Sequence, residues 1–333
     1  MSTTELSYIS AVREALAWGL ETYPGMVVFG EDVAIPNGPF GATKGLHGRF
    51  GRRVFDTPIS ESAMIGTALG AAISGLRPVV EIMYADFLLV AMDQIVNQVA
   101  NARYVSGGQF VPRLTVRTQQ GATPGSCAQH SQSLEALFAH IPGLRVCLPS
   151  NAGDAYAMLR TAIASDDPVM VFESRRLYPT KALVDLDAPV EGLGGSRVVL
   201  AGDDLTVACW GTAVNDVLAC QAPLEQAGIR PEVIDLRWLS PLDLGPVTAS
   251  VARTGRLAVV HEANRTGGFG AEVVARVAET LGPELIATTR VGALDSRVPA
   301  SPHLSRAVLP TLDRITQDLT AFAKAGASGA RRG

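Results

Sequence analysis

Short, uninterrupted apolar strands separated by helical stretches constrain this chain more than any other feature. MVVFG, VFDTPI, PVVEIMY, RLTVRT, LRVCLPS and PVMVFES follow one another through its first half. Runs that are apolar on both sides belong to a parallel sheet covered by helices on both faces. The intervening runs supply those helices. Ile9, Val12, Leu16 and Leu20 recur at spacings of three and four, the stripe of an amphipathic helix, which Pro24 and Gly25 end. SAMIGTALGAAIS reads as a small-residue helix, a long helix is expected over residues 87–105, and HSQSLEALFAH supplies another. After DLDAPVEGLGG a second, smaller unit begins, with strands at DLTVACWG, RPEVIDL, RLAVVHEA and IATTRVG and helices around residues 214–226 and 270–280. A length of 333 residues suits two domains. The predicted layout is an α/β domain over 1–185, a linker over 186–203, a smaller α/β domain over 204–325 and a disordered tail over 326–333.

Composition removes several function classes. A net charge of −4 lacks the clustered basic excess that nucleic acid demands. The uncharged apolar stretch from Ser62 to Leu76 falls short of the roughly 18 residues that suggest a membrane span. Cys127, Cys147, Cys209 and Cys220 are far apart and form no CxxC, which suits a reduced, cytoplasmic protein. MSTTELSYISAVREALAW has the character of neither a signal nor a transit peptide. GxxxxGK[ST], GxGxxG after the first strand and GxSxG are all missing, and GGFGAE after HEANRT reads as a tight turn at a helix start.

Ligands of open parallel sheets bind beyond the carboxyl ends of the strands. The residues that follow each strand are therefore the candidates: Glu31 and Asp32, then Ile59 and Glu61, Asp86 and Phe87, Gln119 and then His130 beyond a Gly-rich loop, Ser150 and Asn151, and Glu173. Each has a plain structural reading. Glu61 is then a helix N-terminal acid favoured by the dipole, Phe87 a core residue, His130 a cap, and Glu31 with Asp32 a solvated pair.

The run FDTPISESAMIGTALGAAISGLRPVVEIMYADFLLVAMDQIVNQ, then RYVSGG, CAQHSQSLEALFAHIPGLRV and VIDLRWLSPLD, resembles the beta subunit of thiamine-diphosphate-dependent 2-oxo acid dehydrogenases of the pyruvate, branched-chain and acetoin type. The resemblance implies a parallel-sheet pyrimidine-binding domain followed by a transketolase C-terminal-like domain. It places Glu61 on the aminopyrimidine nitrogen of the cofactor, where a shared proton favours the tautomer that acts as internal base. Phe87 and Ile59 match residues that pack on the same ring, and His130 a histidine at the reacting end. Glu31 matches a deep acidic residue that links protonation between two cofactors, or is the solvated pair named above. AIASDDP resembles a K⁺-binding segment, with backbone carbonyls near Ala162 and Ile163 and with Asp167 standing where Asn is common.

The family's Mg²⁺ and diphosphate motif, a GDG segment followed by an Asn pair, is missing, and AGDDLT does not replace it. The resemblance therefore implies half a site, completed by an alpha subunit that holds Mg²⁺ in an α₂β₂ heterotetramer. Together the two chains would decarboxylate a 2-oxo acid and pass the acyl group to lipoyllysine. The second domain would dock a dihydrolipoyl acyltransferase through acids such as Asp295, although Arg306 stands where acids are frequent. Two other readings stay open. One is a split transketolase-like enzyme that transfers a two-carbon or acyl unit to a sugar or to an acyl-carrier protein. The other is a non-catalytic partner of the alpha subunit. The acyl substrate is left undefined.

Overall fold

The structure is a computed structural model that describes residues 3–35 and 37–325, so the tail expected over 326–333 lies outside the described residues. The chain divides into two compact units, Met1–Gly121 with Gln129–Leu193, and Ala122–Ala128 with Gly194–Gly333.

The first unit opens with strand β1 (Thr3–Ser7) and helix α1 (Tyr8–Thr22). The Ser7 hydroxyl caps α1 by accepting from the Ser10 amide, and the helix buries Ala11, Val12, Ala15, Leu16 and Leu20, the face read from periodicity. Strands β2 (Met26–Gly30), β3 (Val54–Asp56), β4 (Arg77–Ile82), β5 (Thr115–Gln120), β6 (Arg145–Cys147) and β7 (Val169–Ser174) pair in parallel in the order β3-β2-β4-β5-β7-β6. Every residue of β5 and β7 is buried, as strands covered on both faces require. Between them run α2 (Leu46–Phe50), α3 (Glu61–Ile73), α4 (Ala102–Val105), α5 (Glu135–Ala139) and α6 (Ala152–Ala164), and α6 packs on α1. Strand β8 (Lys181–Asp185) returns antiparallel to β1, a pairing that polar TTELS did not suggest.

The helix expected over 87–105 is broken into a 3₁₀ turn at Ala85–Leu89, a π-helical stretch at Gln94–Val99 and α4. Buried Ala85, Leu88 and Ala91 recur every three residues, whereas Ile95 and Val99 are four apart. The Ala100 amide donates to the Ile95 carbonyl at 3.0 Å, the five-residue bond of a π turn. Within HSQSLEALFAH only α5 is helical, because His130 O accepts from Arg175 and the Gln132 amide donates to Asp86, outside any helical ladder.

One charged row crosses the middle of this sheet. Glu81 on β4 is the register partner of Arg117 on β5, and Glu173 stands on β7 opposite Gln119, two residues further along the strand. Arg117 donates to Glu173 at 2.6 and 2.9 Å and to Glu81 at 2.7 Å, and it is fully buried. Charges so far from water persist only when fully paired. Their pairing raises the guanidinium's pKa, against the effect of burial.

The second unit contains β9 (Arg197–Leu200), β10 (Leu205–Cys209), α7 (Thr212–Ala219), α8 (Gln221–Gln226), β11 (Pro231–Asp235), β12 (Trp238–Ser240), α9 (Gly245–Thr254), β13 (Arg256–Asn264), α10 (Gly270–Leu281), β14 (Ala287–Ala293), α11 (Pro302–Val308) and α12 (Leu312–Ala325). Its five-stranded sheet has the order β14-β13-β10-β11-β9, parallel except for β9, which lies inside the stretch read as linker. The helix expected over 214–226 ends at Ala219, since Pro223 has no amide to reach that carbonyl. Val207, Val217, Val260, Ile315 and Leu319 share one core, so amphipathic α12 covers this sheet.

Candidate active site

Parallel pairing places the carboxyl ends of β3, β2, β4, β5 and β7 along one edge of the first unit's sheet. Glu61 is the first residue of α3 beyond β3, and Glu31 directly follows β2. The loop after β2 is tied down by Asp56, which accepts from the amides of Ala34 at 2.6 Å and Ile35 at 3.1 Å. Burial, then Asp32, then Glu61 raise the Glu31 carboxyl above the ordinary carboxylate range. The two glutamates therefore lie close enough to feel each other's charge, and Glu61 sits on a helix N-terminus that favours an anion. Among the described residues the Glu61 carboxylate has no hydrogen-bond partner. Ile59 beside it is 69% exposed.

Beyond β4 and β5 a ring cluster forms. Tyr84 meets His130 edge-on with centroids 4.4 Å apart, and Phe87 meets the same imidazole at 5.6 Å. Tyr84 is held at φ +69°, where a non-glycine residue is strained, and its amide donates to Gln119 Oε1 at 3.2 Å. Asp86 accepts from the Gln132 side chain at 2.9 Å and its amide at 3.4 Å, two residues past His130. The structure thus brings Glu31 to Glu61, and Phe87 to His130.

Other expected residues go elsewhere. Glu173 and Gln119 point into the sheet. Glu173 is spent on Arg117 and on the Tyr178 hydroxyl at 2.8 Å, and Gln119 Nε2 donates to Glu81 at 2.9 Å. Asn151 caps α6 through the Asp154 amide. Ala162 and Ile163 close α6 and Asp167 precedes β7, at the opposite edge of the sheet. There the Ile163 carbonyl accepts from Arg77, and Asp167 is paired with Arg145 at 2.6 Å and Arg103 at 3.2 Å. These residues do not fit a bare K⁺ ion, because guanidinium groups already supply the positive charge. Nor does any group of three or more His, Cys, Asp and Glu side chains gather for a metal among the described residues. Asp295 is exposed and accepts from the Thr266 hydroxyl at 2.6 Å. Tyr84 and Arg175 were missed, although each directly follows a strand of this sheet or lies within two residues of its end, which is the signal that found the rest.

Residues 4–181 match the transketolase pyrimidine-binding domain and residues 194–315 the transketolase C-terminal domain. The acetoin:2,6-dichlorophenolindophenol oxidoreductase subunit beta of Bacillus subtilis (strain 168) is 40% identical over 325 residues, which cover 93% of this chain and 95% of the relative. The 3-methyl-2-oxobutanoate dehydrogenase subunit beta of Mycobacterium tuberculosis (strain ATCC 25618 / H37Rv) is 40% identical over 316 residues, 94% of this chain and 90% of its own. The chain belongs to the 2-oxo acid and acetoin dehydrogenase beta-subunit family. Within that family the pyruvate dehydrogenase E1 component subunit beta of Bacillus subtilis (strain 168) is also 40% identical, over 82% of this chain and 85% of the relative. A solved structure titled split gene transketolase, inactive beta4 tetramer, has the same fold at TM-score 0.79 and 22% identity, covering 96% of this chain and 98% of that one. No helix among the described residues is long and apolar enough to cross a membrane.

Proposed function

We propose that this chain contributes the pyrimidine-side half of a thiamine-diphosphate site in a 2-oxo acid dehydrogenase, completed by an alpha subunit that holds the diphosphate through Mg²⁺. The observation that carries the reading is the Glu61 carboxylate, half-buried at a helix N-terminus with no partner of its own among the described residues and an exposed Ile59 beside it. An acid next to apolar walls fits a ring that is apolar on its faces and basic at one nitrogen. When bound, thiamine diphosphate supplies the nucleophilic carbon and the electron sink for decarboxylation. Glu61 holds a proton against the ring nitrogen, while Phe87 and Ile59 offer apolar surface to the ring. His130 Nδ1 or Nε2 donates to the 2-oxo acid and moves a proton during acyl transfer. Glu31, already biased toward its protonated form, passes charge changes to Glu61. The acyl group leaves on lipoyllysine of a dihydrolipoyl acyltransferase.

The test uses this chain copurified with its alpha subunit. Calorimetric titration with thiamine diphosphate and Mg²⁺ is expected to give stoichiometric binding for the pair, and Glu61→Gln to lower 2-oxo acid decarboxylation by at least about 100-fold. Undiminished turnover in Glu61→Gln overturns the assignment.

A further inference from the structure

Arg175, the first residue beyond β7, plays no part in the chemistry above, yet its guanidinium is committed at the site edge. One nitrogen, Nη2, donates to two carbonyls, that of Gly121 at 2.9 Å and that of His130. Gly121 ends the first unit's β5 segment and His130 lies where the chain rejoins that unit, after residues 122–128 that group with the second unit. The same guanidinium lies over the Tyr84 ring, 4.8 Å from its centroid, and Tyr84 meets the His130 imidazole edge-on at 4.4 Å. Arg175 therefore touches the backbone of His130 directly and its ring through Tyr84.

The sequence around His130 explains why a clasp is needed. GATPGSCAQ holds two glycines and a proline, and Gly121, Gly125 and Cys127 all adopt positive φ. Such a segment has little secondary structure to place the histidine that ends it. A cation that donates to both ends of the excursion replaces missing ladder bonds with charge-assisted ones, which are stronger than neutral pairs. Nη2 presents both of its hydrogens in one plane, so one side chain can serve two acceptors without further ordering cost.

We propose that Arg175 is a positioning residue that closes the mouth of the 121–130 excursion and thereby sets the place of the His130 imidazole. This rests on the reading of His130 as a site residue. The experiment uses the complete chain with its alpha subunit and compares the parent with Arg175→Met, Arg175→Lys and His130→Ala.

Amide hydrogen exchange is followed across residues 121–135, together with kcat and KM for decarboxylation. Loss of two charge-assisted hydrogen bonds is expected to raise exchange in that segment roughly 10- to 100-fold in Arg175→Met, leaving β5 and β7 unchanged. Decarboxylation kcat is expected to fall by a similar factor, with KM changed less than threefold. Arg175→Lys keeps a cation with hydrogens for both carbonyls and is expected to recover most of both losses. Parent-like exchange in Arg175→Met overturns the proposal, as does increased exchange with unchanged kcat. Failure of Lys to rescue, with exchange lost across the whole unit, points to general unfolding and also overturns it. If His130→Ala keeps full activity, the functional reading of His130 fails, and the exchange data then decide the clasp alone.

Discussion

Lowering the pH from 7 to 5 is expected to weaken the second unit through one residue, His261 on β13. The ring is fully buried, stacked on Trp210 at 5.2 Å and 16°, and caged by Gly268, Gly270 and Gly292, where an added Cβ would come within 2.7, 2.8 and 3.0 Å of it. Nδ1 faces the Ala263 carbonyl at 3.1 Å, so it carries the proton of the neutral ring, and buried Nε2 has no partner. A second proton would create a buried cation with an unsatisfied donor. Burial is the dominant cause that lowers the pKa from the usual 6.5 to about 4, with Arg290 adding to it and the Ala263 bond opposing it. The unfolded chain thus binds a proton below 6.5 that the native state refuses until about 4, and stability falls with pH across that window. At about 1.4 kcal/mol per pH unit, the loss between pH 7 and pH 5 comes to about 2 kcal/mol. Urea unfolding of the complete chain, read by tryptophan fluorescence, measures it against His261→Gln, which cannot titrate. The variant is expected to start less stable at pH 7 because it gives up the stacking on Trp210, but to lose about 2 kcal/mol less on going to pH 5. Parallel losses in parent and variant would refute the reasoning.

Two further outcomes follow from charges in the first unit. The native state holds the Glu31 proton more tightly than the unfolded chain does, so this group's stabilising contribution is complete below the ordinary glutamate range and lost as pH rises through its raised native value. Glu31→Gln should therefore melt higher than the parent at pH 7, an advantage that disappears in acid on a thermal scan. Arg117→Met leaves Glu81 and Glu173 facing each other across β5 without their cation, and should cost about 3–5 kcal/mol in urea unfolding at neutral pH. Recovery of part of that loss when Glu81→Gln is added to Arg117→Met distinguishes charge from lost volume.

The parallel sheet was legible because uninterrupted strands such as PVMVFES admit few other environments, and β7 is buried at every residue. Helix α1 was legible because its apolar stripe faces one side throughout. Residues 87–105 failed because a spacing of three or four cannot distinguish α from 3₁₀ or π pitch until the packing surface selects one. The edge rule singled out Glu31, Glu61, Phe87 and His130, which follow the strand ends, but it also enrolled Glu173, whose side chain turns into the sheet to pair with Arg117.

The order of residue types along the chain was enough to determine the two α/β units, the sheet edge that carries Glu31, Glu61 and His130, and the family, because these depend on local periodicity and on motifs read in a line. Tertiary structure alone decided the rest. The Glu81–Arg117–Glu173 row exists because pairing of β4, β5 and β7 brings both carboxylates within reach of one guanidinium, and Arg175 reaches His130 only because β5 and β7 are neighbours. The gathering of Arg77, Arg103 and Arg145 at the end of α6 is decided the same way, by which side chains the fold delivers there. Periodicity is a property of neighbours in sequence, whereas pairing of charge and placement of a proton depend on neighbours in space.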